Sequence, residues 1–196
     1  MTGHVRFWRW YRTIPILLML LVAGLTFGQI TLPGSLVRRY LLPIEYKDEI
    51  LDSSARHGVD PLLVCSIIRC ESGWDTHVTS DAGAVGLMQI MPSTSGELAE
   101  YGLVDAGVYD PANLEDPATN IEYGCAYLQQ LSSVLGSTDE VIAAYNAGPG
   151  SVEEWLSSGG DITDAIKFPE TALYLMRVNE SYKRYAQFYT ETLSER

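Results

Sequence analysis

The sequence has little with which to hold a metal. Its three histidines, His4, His57 and His77, and its three cysteines, Cys65, Cys70 and Cys125, show neither a C-x-x-C spacing nor a paired-histidine pattern. No metal site and no cofactor are therefore expected. An odd cysteine count leaves at least one thiol free. Cys65 and Cys70 lie five apart on one helical stretch and point to different sides, so they make poor partners for each other. Either could pair with Cys125, and the simpler expectation is small, buried, free thiols.

Basic residues are scarce where they would matter for nucleic acid. Five of the 13 Lys and Arg (Arg6, Arg9, Arg12, Arg38, Arg39) and none of the 25 Asp and Glu fall in the first 44 residues. The other eight basic residues face all 25 acids, a net of −17 over the rest of the chain. A nucleic-acid-binding domain would be basic instead, and a domain this acidic is soluble and repelled by anionic lipid surfaces. Also missing is any sustained apolar–polar alternation with β-branched enrichment. The chain therefore reads as all-α, with at most a small hairpin over residues 76–85. Internal repeats and low-complexity tracts are absent.

One long apolar run is present. Residues 14–30, IPILLMLLVAGLTFGQI, carry no charge and reach the lower limit for a membrane-spanning helix, which residues 31–37 could extend. The arginines before it predict a cytoplasmic N-terminus, and Trp8, Trp10 and Tyr11 suit the interface. A cleaved signal peptide is the rival reading, with Thr26 and Gly28 as small residues but without Ala-x-Ala. No cysteine follows the run, which excludes a lipoprotein anchor. The expected organisation is residues 1–43 as cytoplasmic stub, membrane anchor and linker, and residues 44–196 as an exported domain outside a single-pass anchor.

Helix signals recur through that domain. A first helix is expected over residues 44–56, with Tyr46, Ile50, Leu51 and Ala55 on one face and Gly58 as the stop. Pro92 and residues 93–101 form a short helix closed at Gly102. Residues 104–115 read as loop. Asp116-Pro117 is a cap followed by a first-turn proline, opening a helix to residue 135 that buries Ile121, Cys125, Leu128 and Leu131. Ser137 with Glu140, and Ser151 with Glu154, are capping boxes for helices over 138–146 and 152–157. Pro169 opens a last helix to about residue 190, with Ala172, Leu175, Met176, Asn179 and Tyr182 along it.

The chain is organised around residues 60–92, DPLLVCSIIRCESGWDTHVTSDAGAVGLMQIMP. Asp60-Pro61 opens a nearly all-round apolar helix (Leu62, Leu63, Val64, Ile67, Ile68), which must be buried. Glu71 stands at its end, before Gly73. A carboxyl held there is partly desolvated, and desolvation raises its pKa toward the range of a general acid. The pattern Glu71-Ser72, a loop, Gly83-Ala84-Val85-Gly86-Leu87-Met88-Gln89-Ile90-Met91-Pro92, then Thr94, resembles the signature of the soluble-type lytic transglycosylases, relatives of goose-type lysozyme. Three further segments agree in order: Asn120-Ile121, Gly124 and Tyr127-Leu128; Ala144-Tyr145-Asn146-Ala147-Gly148; and Pro169-Glu170-Thr171 with Tyr174. Cys70 departs from the pattern, since the residue before the glutamate is commonly polar or charged.

The resemblance implies a lysozyme-like helical domain with a glycan-binding groove, acting on peptidoglycan strands as a monomer. Glu71 would protonate the leaving oxygen of the β-1,4 bond between N-acetylmuramic acid and N-acetylglucosamine, then act as base for the sugar's own C6 hydroxyl. Ser80, Met88, Gln89, Tyr145 and Asn146 would line the groove, with Glu170 and Tyr174 supporting it from the last helix. Ser72 would orient Glu71, since no histidine is placed to activate it as a nucleophile. Two other classes stay open: a goose-type lysozyme-like hydrolase, which needs a second carboxylate such as Asp75 or Asp81, and a non-catalytic cell-wall glycan-binding protein.

Overall fold

The computed structural model describes residues 13–24, 34–157 and 159–194. The chain divides into two compact units, Met1–Pro43 and Ile44–Arg196. In the first, residues 13–24 are helical with exposed side chains. Where a linker was expected, Gly34–Leu36 is α-helical and runs into a π-turn over Val37–Leu41. Among the described residues no helix is long and apolar enough to cross a membrane. Part of the expected span, residues 25–30, lies outside the described residues, as do Arg6, Arg9, Arg12 and the aromatic residues beside them.

The second unit is helical. Its elements are α1 (Lys47–His57), α2 (Pro61–Glu71), α3 (Pro92–Glu100), α4 (Pro117–Val134), α5 (Thr138–Ala147), α6 (Pro149–Leu156), α7 (Ile162–Ala165) and α8 (Pro169–Ser194). Two isolated antiparallel bridges, Thr79 with Val85 and Val85 with Ile90, stand in place of the expected hairpin. The caps that open α2 and α4 are those read from the sequence. Asp60 accepts the Leu62 N–H at 2.8 Å and Asp116 the Thr119 N–H at 2.9 Å, each with proline in the first turn.

Helix α2 is the centre. Leu62, Leu63, Val64, Cys65, Ser66, Ile67 and Ile68 are all buried, so it can end only at a place that shields Glu71 in part. Its most extensive packing is against α8, which turns Thr171, Tyr174, Leu175, Val178, Ser181, Tyr185 and Tyr189 inward. Of the residues marked along this helix from the sequence, Leu175 is buried and Met176 is 60% exposed. On α4, Ile121, Cys125, Leu128 and Leu131 are buried as expected.

Two further expectations fail. Ser151 does not cap a helix. Gly148 takes φ 82°, Pro149 occupies the first turn, α6 starts there, and Ser151 inside it donates to the Ala147 carbonyl at 2.9 Å. On α1 the buried face is Ile50, Ser53, Ser54 and His57, whereas Ala55 is exposed. The reason is Glu122 on α4, whose side chain is only 5% exposed. A buried carboxylate requires partners. Arg56 donates to it at 2.5 Å and His57 Nε2 meets it at 2.9 Å, while Gln129 holds Nδ1 at 3.0 Å. An apolar stripe rule cannot see a helix that buries charge.

That network makes stability depend on pH on two sides. Burial alone would push Glu122 up, but the hydrogen bonds from His57 and Arg56 outweigh it and hold the carboxyl at about 2. The bond to Glu122 raises His57, against the effect of burial. Depressed Glu122 contributes stability that is full above its ordinary value of 4.5 and is lost as pH falls toward 2. Raised His57 contributes stability that is full below its ordinary value of 6.5 and is lost as pH rises through its folded value. Glu122→Ala is expected to cost about 3 kcal/mol, because it strands a buried partner. The difference in unfolding free energy between wild type and His57→Gln should peak between pH 4.5 and 6.5 and shrink on either side. A difference that stays unchanged from well below pH 4.5 to well above pH 6.5 would show that the pair is not charged.

Candidate active site

Glu71 is the last residue of α2 and is half-buried. Its Oε1 accepts a short hydrogen bond, 2.6 Å, from the Tyr174 hydroxyl of α8. Burial raises the Glu71 carboxyl above its ordinary value, and the Tyr174 hydrogen bond and the Arg177 charge pull it partly back. Tyr174 itself is 2% exposed. Burial, and then the charge of Glu71, push its phenol well above the ordinary value, so it remains a donor at any working pH. The result is a carboxyl raised by burial and moderated by two partners, with one oxygen held and the other without a bonded partner among the described residues.

Tyr145, near the end of α5, stands close enough for Glu71 to raise its phenol as well, after the larger effect of burial. Its hydroxyl donates to the Met88 carbonyl at 2.8 Å, and its ring lies 5.4 Å from that of Tyr127. It thus ties α5 to the Gly83–Gln89 segment and does not bond Glu71 directly. Met88 is placed differently from the expectation. Its side chain is fully buried against Gly124, where an added Cβ would overlap the thioether. It therefore fills the floor behind the site, and only its backbone takes part.

Gln89 has φ 50°, an unusual backbone for a non-glycine residue. Its Nε2 donates to the carbonyls of Val78 and Gly86, both at 3.0 Å. That fixes the loop and leaves the carbonyl oxygen of the amide to meet a ligand. Ser80 closes the loop tip, its hydroxyl accepting the Ala84 N–H at 3.0 Å. Asn146 is exposed at the end of α5, and its Oδ1 accepts from Thr171 at 2.8 Å, which leaves its NH2 group outward. Glu170 is exposed in the first turn of α8, outside this hydrogen-bonded cluster. Ser72 does not orient Glu71 through its hydroxyl, which donates to Ile68 O at 3.3 Å and accepts from Trp74 N at 3.1 Å. Asp75 caps its own turn by accepting the His77 N–H at 2.9 Å.

Three contributors escaped the sequence reading. Thr171 is 1% exposed and orients Asn146. Trp74, at φ 78°, is 7% exposed and donates its indole N–H to Tyr185 at 3.3 Å, pinning the turn after Glu71. Arg177 stacks 5.9 Å over the Tyr174 ring and acts on Glu71 through its charge. Its place three residues after Tyr174 was the available signal, because i and i+3 share a helix face. The three thiols are free as expected. Cys65 and Cys125 are buried, but Cys70 is only half-buried.

The chain is similar to known proteins in both sequence and fold. The sequence model of the family described as "Transglycosylase SLT domain" matches residues 49–168, which includes Glu71 through Asn146 and stops just before Glu170. The chain is 37% identical over 130 residues to the soluble lytic murein transglycosylase of Escherichia coli (strain K12) and 36% over 131 residues to that of Salmonella typhimurium. Each match covers 66% of this chain but 20% of the relative's length. Among solved structures, the 70 kDa soluble lytic transglycosylase of Escherichia coli matches with a TM-score of 0.69 at 34% identity, over 75% of this chain and 25% of that one. An inactive Glu-to-Gln mutant of lytic transglycosylase Slt from Pseudomonas aeruginosa matches with 0.69 at 30%, over 78% and 25%. The complex of the 70 kDa enzyme with bulgecin A matches with 0.67 at 35%, over 74% and 25%.

The electrostatics can be read without any substrate. In an NMR titration, the Glu71 side-chain carboxyl should titrate above its ordinary value of 4.5. Tyr174→Phe removes a hydrogen bond to the charged form and Arg177→Met removes a favourable charge, so each should move the titration further up. A downward move in either variant would reverse the assignment.

Proposed function

The chain belongs to the transglycosylase SLT domain family, and from that premise we propose that it is a peptidoglycan lytic transglycosylase. It cleaves the β-1,4 bond between N-acetylmuramic acid and N-acetylglucosamine and leaves 1,6-anhydromuramoyl ends. The observation that carries this reading is the half-buried Glu71, bonded by Tyr174 and raised by burial toward neutrality. That one related enzyme is inactive with a single Glu-to-Gln change is in keeping with it.

In the proposed mechanism neutral Glu71 donates its proton to the glycosidic oxygen as the bond breaks. Proton donation of this kind is the ordinary contribution of a positioned carboxyl with a raised pKa. The sugar's own N-acetyl oxygen supports the developing positive charge at C1. Glu71, now ionised and held by Tyr174, with Arg177 nearby, takes the proton of the C6 hydroxyl as that oxygen attacks C1. The Gln89 amide oxygen and the Asn146 NH2 offer one acceptor and one donor to N-acetyl groups. A hydrolase would need a second carboxylate to activate water, and Asp75 is instead committed to its own turn.

We also place the domain outside a single-pass membrane anchor. Support comes from the uncharged residues 14–30, which follow three arginines. Fractionation should find the full-length chain in membranes. Its recovery from the cytosol would refute the anchor, and a shortened form in the medium would favour a cleaved signal peptide.

Two measurements test the activity. Glu71→Gln should lower kcat by roughly a hundredfold to ten-thousandfold with fold and glycan binding kept. Turnover above about a tenth of wild type would refute the role. Mass spectrometry of the wild-type digest should show anhydro ends, one water lighter than reducing ends, and reducing ends would instead identify a hydrolase. The pH profile of kcat/KM should fall on the alkaline side with one apparent pKa above the usual carboxyl value. Asp75→Asn and Asp81→Asn should leave that profile unchanged.

A further inference from the structure

Charge in residues 44–196 is sorted along the chain. No Lys or Arg falls between Arg69 and Lys167, and four of the eight basic residues of this unit then fall within residues 167–184. Three of these, Arg177, Lys183 and Arg184, are exposed on α8. Starting from Leu173, the residues Met176, Arg177, Glu180, Lys183 and Arg184 recur at helical spacing, so all six share one outward face. The acid among them, Glu180, pairs with Arg184 at 3.1 Å. Three cations against one acid leave this face at +2 in a unit of net −17.

The same face is apolar where α8 begins. Leu173 is 57% exposed and Met176 60%, and Phe168, just before the helix, is 47% exposed. A single apolar side chain at a surface is ordinary, whereas a cluster beside a charged stretch marks a place of contact. The other exposed apolar group, Tyr101, Leu103 and Val108, lies in the stretch without any Lys or Arg. Apolar and basic character therefore coincide on α8.

We propose that the outward face of α8 lies against an anionic lipid surface, with Leu173 and Met176 at the acyl boundary and Arg177, Lys183 and Arg184 among the headgroups. Apolar side chains that lead into a basic stretch on one helix face match that interface on both counts. A soluble polyanion would meet the cations alone and leave the apolar end in water. The net charge of −17 does not prevent the contact, because repulsion from acids on the far side fades within a Debye length of about 8 Å. It orients the domain instead, since this face is attracted while the acidic remainder is repelled. The inference goes beyond the anchor proposed above and uses it only as what holds the domain near lipid.

The test uses the full chain in lipid nanodiscs of phosphatidylcholine alone or mixed equally with phosphatidylglycerol. Peroxide oxidation of Met176, read by mass spectrometry, reports cover of the face, and Met91 at the start of α3, 37% exposed, is the reference. Met176 should oxidise roughly tenfold more slowly on the anionic discs, the scale that one or two basic residues near such a surface supply, with Met91 unchanged. Lys183→Glu with Arg184→Glu should return Met176 to its rate on phosphatidylcholine, as should Leu173→Asp and added salt. Lys183→Arg with Arg184→Lys keeps the charge and should keep the protection. Thermal unfolding of each variant should match wild type, so that a lost contact is not a lost fold. Equal oxidation on the two kinds of disc overturns the lipid contact. So does slow oxidation in detergent without lipid, because this chain or a second copy then covers the face. Equal protection by soluble polyphosphate overturns it in favour of a polymer. A chain that does not enter phosphatidylcholine discs overturns the anchor instead, and oxidation with and without added anionic discs still reads the face.

Discussion

The site depends on one buried amide. Asn120, in the first turns of α4, is 0% exposed. Its Oδ1 accepts the Met88 N–H at 2.7 Å, and its Nδ2 donates to the carbonyls of Val85 and Leu114, both at 2.8 Å. All three partners are backbone groups of irregular segments, and of these the Val85 carbonyl also accepts the Ile90 N–H at 3.0 Å. Left unpaired in the interior, the Met88 N–H and the Leu114 carbonyl would each cost about 1–3 kcal/mol. The amide therefore decides whether the Gly83–Gln89 loop can be buried at all. Gly86 shows how close the approach is, because a side chain there would collide with the Asn120 amide and the Leu114 carbonyl. Once the loop is fixed, the Met88 carbonyl is in place to hold Tyr145, and Gln89 can span Val78 and Gly86.

The second constraint is electrostatic. A general acid that must later accept a proton cannot be strongly biased to either form. Burial at the end of an apolar helix drives Glu71 toward neutrality, and Tyr174 with Arg177 drives it toward charge. Both opposing groups sit on α8, the helix with which α2 makes its largest contact. The packing that desolvates the carboxyl thus also delivers the groups that moderate it.

Much of this was legible from residue types with strong local rules. Asp60-Pro61 and Asp116-Pro117 marked helix starts, the apolar run 62–68 marked a buried helix, and Glu71 stood at its end. What could not be read were choices made by partners distant in sequence. Burial of Ser53 and His57 on α1 follows from Glu122, some 65 residues away. Met88 looked like a groove residue until Gly124 on α4 made room for it inside. Ser72 and Ser151 carry side chains that can cap, orient or bond a carbonyl one turn back, and only the surrounding backbone decides among these.

The places where local rules fail bear on function unequally. Trp74 and Gln89 take left-handed backbone, which costs a non-glycine residue of order 1 kcal/mol or more. Such strain persists only where neighbouring contacts over-determine it. Trp74 is held by Ser72 and Tyr185, and Gln89 by two loop carbonyls. The two residues bracket the segment that follows Glu71, one three positions after it and the other at the end of the loop. Tyr46, with φ 52°, lies instead at the start of α1, where it only redirects the chain. Strain alone therefore does not identify a site. Strain pinned by hydrogen bonds at both ends of the segment that follows a half-buried carboxyl does, because the chain must hold that geometry against its own local preference for the carboxyl to meet a substrate the same way each time.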